Sequence, residues 1–297
     1  MLCNICPRRC GANREAEPGY CGASDTLRIA RAAPHFWEEP CISGTNGTGA
    51  VFFSGCNLKC KFCQNYDISA HNKGYDITEQ QLADEFQRLE SEDKCHSISL
   101  ITPGHFVPGI IRAMDMYSGS LPFVYNCGGY ESVQTLKALE GRISVYLPDL
   151  KYSDSELAKQ LSDAPDYFDV AKSAILEMYR QVGDYELDEK GLLKKGVVIR
   201  HLLLPGNTAN TFGVLDWISE TFSEGQVLVS LMCQYVPYGK AKEMPPFDRP
   251  VTESEYRRAV RYMEAVGITD GFVQEPDSAS EQFIPEFYGK EGTENDI

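Results

Sequence analysis

The sequence predicts an α/β fold, an open partial (β/α)6 barrel of parallel strands, preceded by a small cysteine-rich metal-binding knuckle. From residue 50 onward, short apolar runs alternate with helical periodicity or long loops, at residues 50–54, 97–101, 123–126, 143–149, 197–204 and 226–232. Nearly continuous apolar strands that alternate with helices are typical of a parallel sheet covered by helices. Because six units are too few to close an eight-stranded barrel, we expect an open sheet, extended at one edge by a seventh run at residues 271–274.

The same pattern divides the chain into three segments. Residues 1–49 hold the cysteine-rich segment and a connector, residues 50–276 the barrel, and residues 277–297 an acidic C-terminal tail. Capping boxes, in which a Ser or Thr and a Glu or Gln three residues later cap each other's backbone, mark helix starts. The candidate pairs are Thr78 with Gln81, Ser153 with Glu156, and Thr252 with Glu255.

Composition narrows the classes of partner and compartment. The 28 Lys and Arg against 43 Asp and Glu give a net charge of −15, which argues against nucleic acid or an anionic membrane surface as the main partner. The sequence contains no apolar run of the ~18 residues that a membrane span needs. A cysteine motif begins at Cys3, where a signal peptide would need an apolar stretch, so we expect a cytoplasmic protein. In that compartment, the 11 cysteines are better explained as metal ligands than as disulfides.

The reactive position is predicted at three cysteines that follow the first barrel strand. Cys56, Cys60 and Cys63 form a C-x3-C-x2-C set. A cluster with four irons normally takes four cysteine ligands, so a triplet leaves one iron open to bind a small molecule. The alternatives are a disulfide with a spare thiol and a three-ligand zinc site.

A second cysteine set lies at the N-terminal end. Cys3, Cys6, Cys10 and Cys21 form C-x2-C-x3-C-x10-C, with glycines and prolines that allow the backbone to bend around a common centre. Four soft ligands within so short a segment suit a tetrahedral zinc, a single iron or a second cluster. The spacing does not choose among these metals. Ordinary structural thiols are the alternative.

The triplet, with Phe62 in its aromatic position, resembles the C-x3-C-x-aromatic-C signature of radical S-adenosylmethionine (SAM) enzymes. Within that family it is most similar to the branch of pyruvate formate-lyase-activating enzyme, and the N-terminal C-x-x-C-P-R-x-C resembles a related subgroup. The resemblance implies a [4Fe-4S] cluster whose open iron binds SAM, and a 5′-deoxyadenosyl radical that abstracts hydrogen from the substrate. It also implies a partner protein of the glycyl radical type and an electron donor such as flavodoxin or ferredoxin.

Polar residues at the predicted strand ends complete the candidate site, because ligands of open parallel sheets bind beyond the carboxyl ends of the strands. Asp149 and Lys151 match the family's Asp-x-Lys, which contacts the ribose and carboxylate of SAM; a surface ion pair is the alternative. Arg200, on a mostly apolar strand, needs an anionic partner, either that carboxylate or an acidic neighbour such as Asp149. Asn126 stands in a turn resembling the family's Asp-Thr-Asn-Gly, and Gln234 stands near the position of a family histidine.

One departure from the family and two other classes of protein remain open. Residues 102–105, Thr-Pro-Gly-His, replace a Gly-Gly-Glu segment, so that only their backbone could bind the SAM amino group. The competing classes are a non-catalytic iron-sulfur electron carrier and a zinc hydrolase. The first leaves the polar strand ends unexplained, and the second lacks an H-E-x-x-H set. Within the family, a small-molecule substrate is the alternative to a partner protein.

Overall fold

The computed structural model describes residues 2–274. The predicted acidic tail, residues 277–297, lies outside the described residues. The strands are β1 (Leu27–His35), β2 (Thr48–Phe53), β3 (Tyr75–Ile77), β4 (Ile98–Ile101), β5 (Phe123–Cys127), β6 (Val145–Pro148), β7 (Glu186–Leu187), β8 (Leu193–Leu202), β9 (Leu228–Met232) and β10 (Gly271–Val273). The helices are α1 (Pro40–Ser43), α2 (Tyr66–His71), α3 (Glu79–Ser91), α4 (Val107–Met116), α5 (Val133–Lys137), α6 (Ser155–Ser162), α7 (Tyr167–Val182), α8 (Thr208–Thr221) and α9 (Glu253–Ala265).

The strands form one open sheet in the order β10-β9-β8-β6-β5-β4-β2-β1-β3, with β7 paired to β8. Strands β2, β4, β5, β6, β8, β9 and β10 are parallel to one another, whereas β1 pairs antiparallel with both β2 and β3, and β7 pairs antiparallel with β8. The predicted partial barrel of parallel strands is therefore confirmed, including the seventh strand at its edge. The strand found within residues 1–49 joins the barrel sheet, and the division at residue 49 stays a prediction.

The two faces of the sheet carry different cores. Alternate residues of the strands, such as Val51, Tyr125 and Ile199, pack with the long helices in the main hydrophobic cluster. The opposite face, which we call the inner face, has its own cluster at the middle of the sheet. There Cys41 and Ile42 of α1 pack against side chains of four strands, Val124, Val145, Leu147, Leu193, Val198 and Leu228. The connector between β1 and β2 thus lies on the inner face.

Helix starts follow the predicted capping chemistry in two of three cases. Thr78 and Gln81 cap α3 reciprocally, and Thr252 and Glu255 do the same for α9. The prediction for α6 was wrong: Asp154, one residue later than Ser153, is the N-cap and accepts hydrogen bonds from two backbone amides. A carboxylate accepts such bonds at least as well as a hydroxyl, and the Ser153 hydroxyl instead donates to the Asn210 carbonyl at 2.8 Å. Within residues 2–274, no helix combines the length and apolar character needed to cross a membrane.

Candidate active site

A cavity of about 230 Å³ opens at the carboxyl ends of the parallel strands, on the inner face. It is the place where open parallel sheets generally bind their ligands. All three cysteines of the triplet and all the predicted cofactor-binding residues line it: Cys56, Cys60, Phe62, Cys63, Asn126, Asp149, Lys151, Arg200 and Gln234. The four N-terminal cysteines do not line this cavity.

The triplet lies in the loop between β2 and α2, and polar groups surround its sulfurs. Each sulfur accepts a hydrogen bond, Cys56 from the Leu58 amide (3.4 Å), Cys60 from the Ser162 hydroxyl (3.1 Å) and Cys63 from the Ser69 hydroxyl (3.3 Å). Burial raises the pKa of Cys56 to about 12 and that of Cys63 to about 11, and the neighbouring thiols add to both shifts. The free thiols of Cys56 and Cys63 are therefore protonated at neutral pH. Hydrogen bonds of this kind stabilise thiolate sulfur once a metal displaces the proton.

The donor set of the triplet fits an iron-sulfur cluster. Three cysteine sulfurs face one cavity, with room beside them for a further ligand. Nowhere in residues 2–274 do three or more His, Cys, Asp or Glu side chains stand close enough to hold a single metal ion. A cluster makes a weaker demand on proximity, because each cysteine binds a different iron of the cluster.

Asp149 and Lys151 form a buried ion pair at the end of β6. The Lys151 ammonium contacts Asp149 Oδ2, and both side chains are about 15% exposed or less (15% and 13%). Burial alone would raise the pKa of Asp149, but Arg200 and Lys151 outweigh it, so the pKa lies below its ordinary value. The pair is thus not the surface ion pair that was the alternative for these residues.

Arg200 is engaged by three side chains within the protein. Its Nε donates to Asp149 Oδ1 at 2.8 Å, its Nη2 to Asn126 Oδ1 at 2.7 Å, and its Nη1 to Glu38 Oε2 at 3.3 Å. Asp149, one of the two anionic partners expected for Arg200, is in direct contact with it. The guanidinium therefore fixes the positions of the carboxylate and amide groups at the ends of three elements.

Glu38 is the site residue that sequence reasoning missed. It lies on the connector between β1 and β2, its side chain is 5% exposed, and it accepts a hydrogen bond from Asn126 Nδ2 at 2.8 Å. Burial raises the pKa of Glu38, while Arg200 and Asn126 oppose the rise. One signal in the sequence could have pointed to it. Arg200 and Lys151 are two cations at the predicted strand ends, where Asp149 is the one predicted anion. Because burial of an unpaired charge is costly, a second carboxylate was to be expected nearby.

Phe62 and Gln234 stand at the wall of the cavity nearest the triplet. The Phe62 ring packs against Tyr152 and Tyr235, with ring centroids 6.5 and 5.9 Å apart. Gln234 presents its backbone carbonyl to the Gln64 side chain at 3.3 Å. Both residues are placed beside the cysteines, and neither contributes a charge.

In residues 102–105, which depart from the family pattern, Thr102 and His105 lie in different surroundings. Thr102 lines the cavity with a φ of 58°, a strained conformation for a β-branched residue of the kind found at functional sites. His105 is buried, lies outside the cavity lining and contacts the Ser54 carbonyl through Nε2 at 2.7 Å. Burial lowers the pKa of His105 to about 4, so this histidine is a neutral packing residue.

Fold and site together define a class, an open parallel barrel with a thiol-lined cavity at its strand ends. The model of the radical SAM superfamily matches residues 50–215, more than half of the 297 residues. The chain belongs to the radical SAM superfamily. Membership makes it an enzyme and implies a [4Fe-4S] cluster and SAM as its cofactors. Assignment to the activating-enzyme branch stays a prediction.

Similar proteins include a sequence relative and solved structures. An uncharacterized protein of Methanocaldococcus jannaschii, MJ0674, is 30% identical over 270 residues, 88% of this chain and 74% of its own. The crystal structure of methylornithine synthase (PylB) is similar at a TM-score of 0.47 and 16% identity, covering 73% of this chain and 68% of that chain. The crystal structure of Streptococcus suis SuiB bound to precursor peptide SuiA is similar at a TM-score of 0.48 and 14% identity. The match covers 74% of this chain and 46% of that chain.

Proposed function

We propose that Cys56, Cys60 and Cys63 hold the [4Fe-4S] cluster at which this enzyme cleaves SAM, and that the substrate is a partner protein. The observation that carries the proposal is the meeting of the triplet with Asp149, Lys151 and Arg200 in one cavity, although these residues come from distant parts of the chain. An electron carrier without a substrate would need no such polar strand ends.

The cluster, when bound, supplies the electron for cleavage of SAM and so for hydrogen abstraction. The residues of the chain bind SAM and orient it. Lys151 is suited to the SAM carboxylate, because its ammonium has three donors and Asp149 accepts one of them. Arg200 is already engaged by Asp149, Asn126 and Glu38, so its work is to hold these groups in place.

A partner protein of the glycyl radical type remains the favoured substrate. The outer strands of the sheet, β3 and β10, do not pair with each other, so the barrel is open at its side. A peptide loop could enter there and bring a backbone Cα within ~3 to 4 Å of the reacting 5′ carbon, as hydrogen transfer requires. We place the enzyme in the cytoplasm with an electron donor such as flavodoxin or ferredoxin.

The test is product formation by anaerobically reconstituted protein. Reduced protein mixed with SAM is expected to release 5′-deoxyadenosine, and a candidate glycyl radical protein is expected to acquire an organic radical doublet in its EPR spectrum. Cleavage of SAM that depends only on a small metabolite, with that metabolite chemically altered, would replace the partner protein by a small substrate. Absence of 5′-deoxyadenosine from protein with a complete cluster would refute the activity itself.

A further inference from the structure

The four N-terminal cysteines lie together beside the loop that carries the triplet. The backbone of Cys3 pairs with the residues just after Cys10: its amide donates to the Ala12 carbonyl and its carbonyl accepts from the Gly11 amide, both at 3.0 Å. Gly19 packs against the same group: a Cβ at this position would lie 3.3 Å from the sulfur of Cys10 and 3.6 Å from that of Cys21. Position 19 therefore has little room for a side chain, because sulfurs from distant parts of the segment converge on it.

The backbone of this segment also folds tightly around the group. The Arg9 amide donates to the Cys6 carbonyl at 3.0 Å, and the Gly19 amide donates to the Ala23 carbonyl at 3.0 Å, so that close turns follow Cys6 and enclose Cys21. The Cys6 and Cys21 side chains are buried, whereas Cys10 is exposed. Close turns of this kind bring thiols of one short segment around a common centre, as structural metal sites require.

We propose that Cys3, Cys6, Cys10 and Cys21 together bind one thiolate-preferring metal ion, zinc or iron, and that this ion holds the triplet loop in its working geometry. The second half of the proposal rests on the proposed function, in which the triplet holds the cluster. Four cysteine sulfurs suit both metals as a closed tetrahedral site. The absence of a preassembled single-ion site among residues 2–274 applies to both cysteine sets, so the thiols of either set close around their metal on binding.

The first link between the two sets is a backbone contact. The amide of Cys56 donates to the carbonyl of Cys21 at 3.1 Å. Gly55 permits this approach, because its φ is +85° and a Cβ there would lie 2.7 Å from the same carbonyl oxygen. A ligand of the N-terminal set is thus one hydrogen bond away from a ligand of the triplet.

The second link is Arg8, which lies between Cys6 and Cys10. Its guanidinium donates to three backbone carbonyls, those of Asn57 (2.8 Å), Ser162 (2.7 Å) and Asp163. It also lies over the rings of Tyr20 and Tyr130, at 4.3 and 5.1 Å from their centroids. The last two carbonyls end α6, where a cation is favoured by the helix dipole.

These contacts reach two sulfurs of the triplet. The Asn57 carbonyl belongs to the same peptide group as the Leu58 amide, which donates to the sulfur of Cys56 at 3.4 Å, and Ser162 donates its hydroxyl to the sulfur of Cys60 at 3.1 Å. Hydrogen bonds to ligand sulfurs are among the factors that set the reduction potential of an iron-sulfur cluster. Loss of the N-terminal ion or of Arg8 is therefore expected to lower the midpoint potential of the cluster, because the donors to its sulfurs lose their support.

The first experiment measures the metal in the whole chain. Cys10 is exposed, so a free Cys10 thiol would react with iodoacetamide. Wild-type protein is expected to show Cys10 protected until a chelator removes the ion, and a variant with Cys56, Cys60 and Cys63 all changed to Ala is expected to keep about one equivalent of zinc or iron. Metal analysis identifies which. A reactive Cys10 in untreated wild-type protein would overturn the proposal without any variant.

The second experiment measures the coupling with matched variants. Arg8→Gln removes the bridge, and Arg9→Gln removes the same charge from an exposed neighbour. We expect Arg8→Gln to keep its N-terminal metal. In a redox titration followed by EPR, its cluster is expected to be reduced only at a lower potential than in wild type. At the wild-type midpoint potential, the EPR signal of the reduced cluster is then at least twofold smaller. Cys10→Ser is expected to lose the metal and show the same shift. Equal midpoints in all variants would refute the coupling.

The outcomes separate this proposal from the proposed function. Wild-type protein that retains the N-terminal metal but forms no 5′-deoxyadenosine contradicts only the proposed function. Protein that cleaves SAM with no second metal contradicts only the proposed N-terminal metal site.

Discussion

Glu38 and Arg200, 162 positions apart in the chain, form a buried ion pair at the floor of the cavity, 3.3 Å apart. The same carboxylate accepts from Asn126, and the same guanidinium donates to Asp149. The pair joins the connector between β1 and β2 to the end of β8. It therefore ties this connector, which lies on the inner face, to the strand ends that carry the candidate SAM ligands.

Glu38→Gln is expected to keep the hydrogen bond from Asn126 and to lose the charge that faces Arg200. Removing one partner of a buried charged hydrogen bond costs about 1–3 kcal/mol, so the melting temperature is expected to fall. Differential scanning calorimetry under anaerobic conditions measures the effect. Glu92→Gln, at an exposed position, is the control, and equal melting temperatures of the two variants would contradict the assignment of Glu38.

Replacement of Cys56, Cys60 or Cys63 by Ala is expected to abolish both the cluster and the release of 5′-deoxyadenosine. Two thiolates do not hold four irons against loss. Iron content, visible absorption and product analysis measure these properties. Cys95→Ala, a buried thiol outside both cysteine sets, is the control and is expected to keep full activity. A triplet variant with wild-type SAM cleavage would remove the central assignment.

Lys151→Ala is expected to weaken SAM binding at least tenfold, about 1.4 kcal/mol, and to leave the iron content unchanged. The reason is that Lys151 contributes donors to the cavity but no ligand to the metal. Calorimetric titration with SAM gives the affinity. Lys172→Ala removes a similar ion pair, with Asp169 at 2.9 Å on a helix surface, and is expected to bind SAM normally. Unchanged affinity in Lys151→Ala would exclude this residue as a SAM ligand.

Glu131 is expected to make stability depend on pH. Burial raises the pKa of this carboxyl from its ordinary value of 4.5 to about 8, against the opposing hydrogen bond from Tyr125. The folded state then binds more protons than the unfolded state between these values, so stability falls as the pH rises through that window. Glu131→Gln is expected to remove this slope, with a gain over wild type on the order of 5 °C in melting temperature between pH 5.5 and 8.5. The prediction would be contradicted if the melting temperatures of the two proteins changed equally with pH across this range.

The sequence predicted those residues of the site that follow a regular spacing along a strand. Asp149 and Lys151 stand two residues apart at the end of an apolar strand, and that spacing, together with the family resemblance, predicted one site for both. Glu38 has no such signal, because the connector follows no period and its position on the inner face is fixed by the packing of Cys41 and Ile42. The cap of α6 was displaced by one residue because Ser153 and Asp154 are both good N-caps.

The connector between β1 and β2 contributes to the wall of the cavity without being part of the parallel sheet. Its residues Trp37 and Glu38 line the cavity and α1 packs on the inner face, but none of them belongs to the ladder of parallel strands. Lengthening, shortening or exchanging this loop could therefore make the chamber shallower or deeper while the seven parallel strands stay in register. Redesign of which molecules this enzyme accepts would therefore begin at this connector.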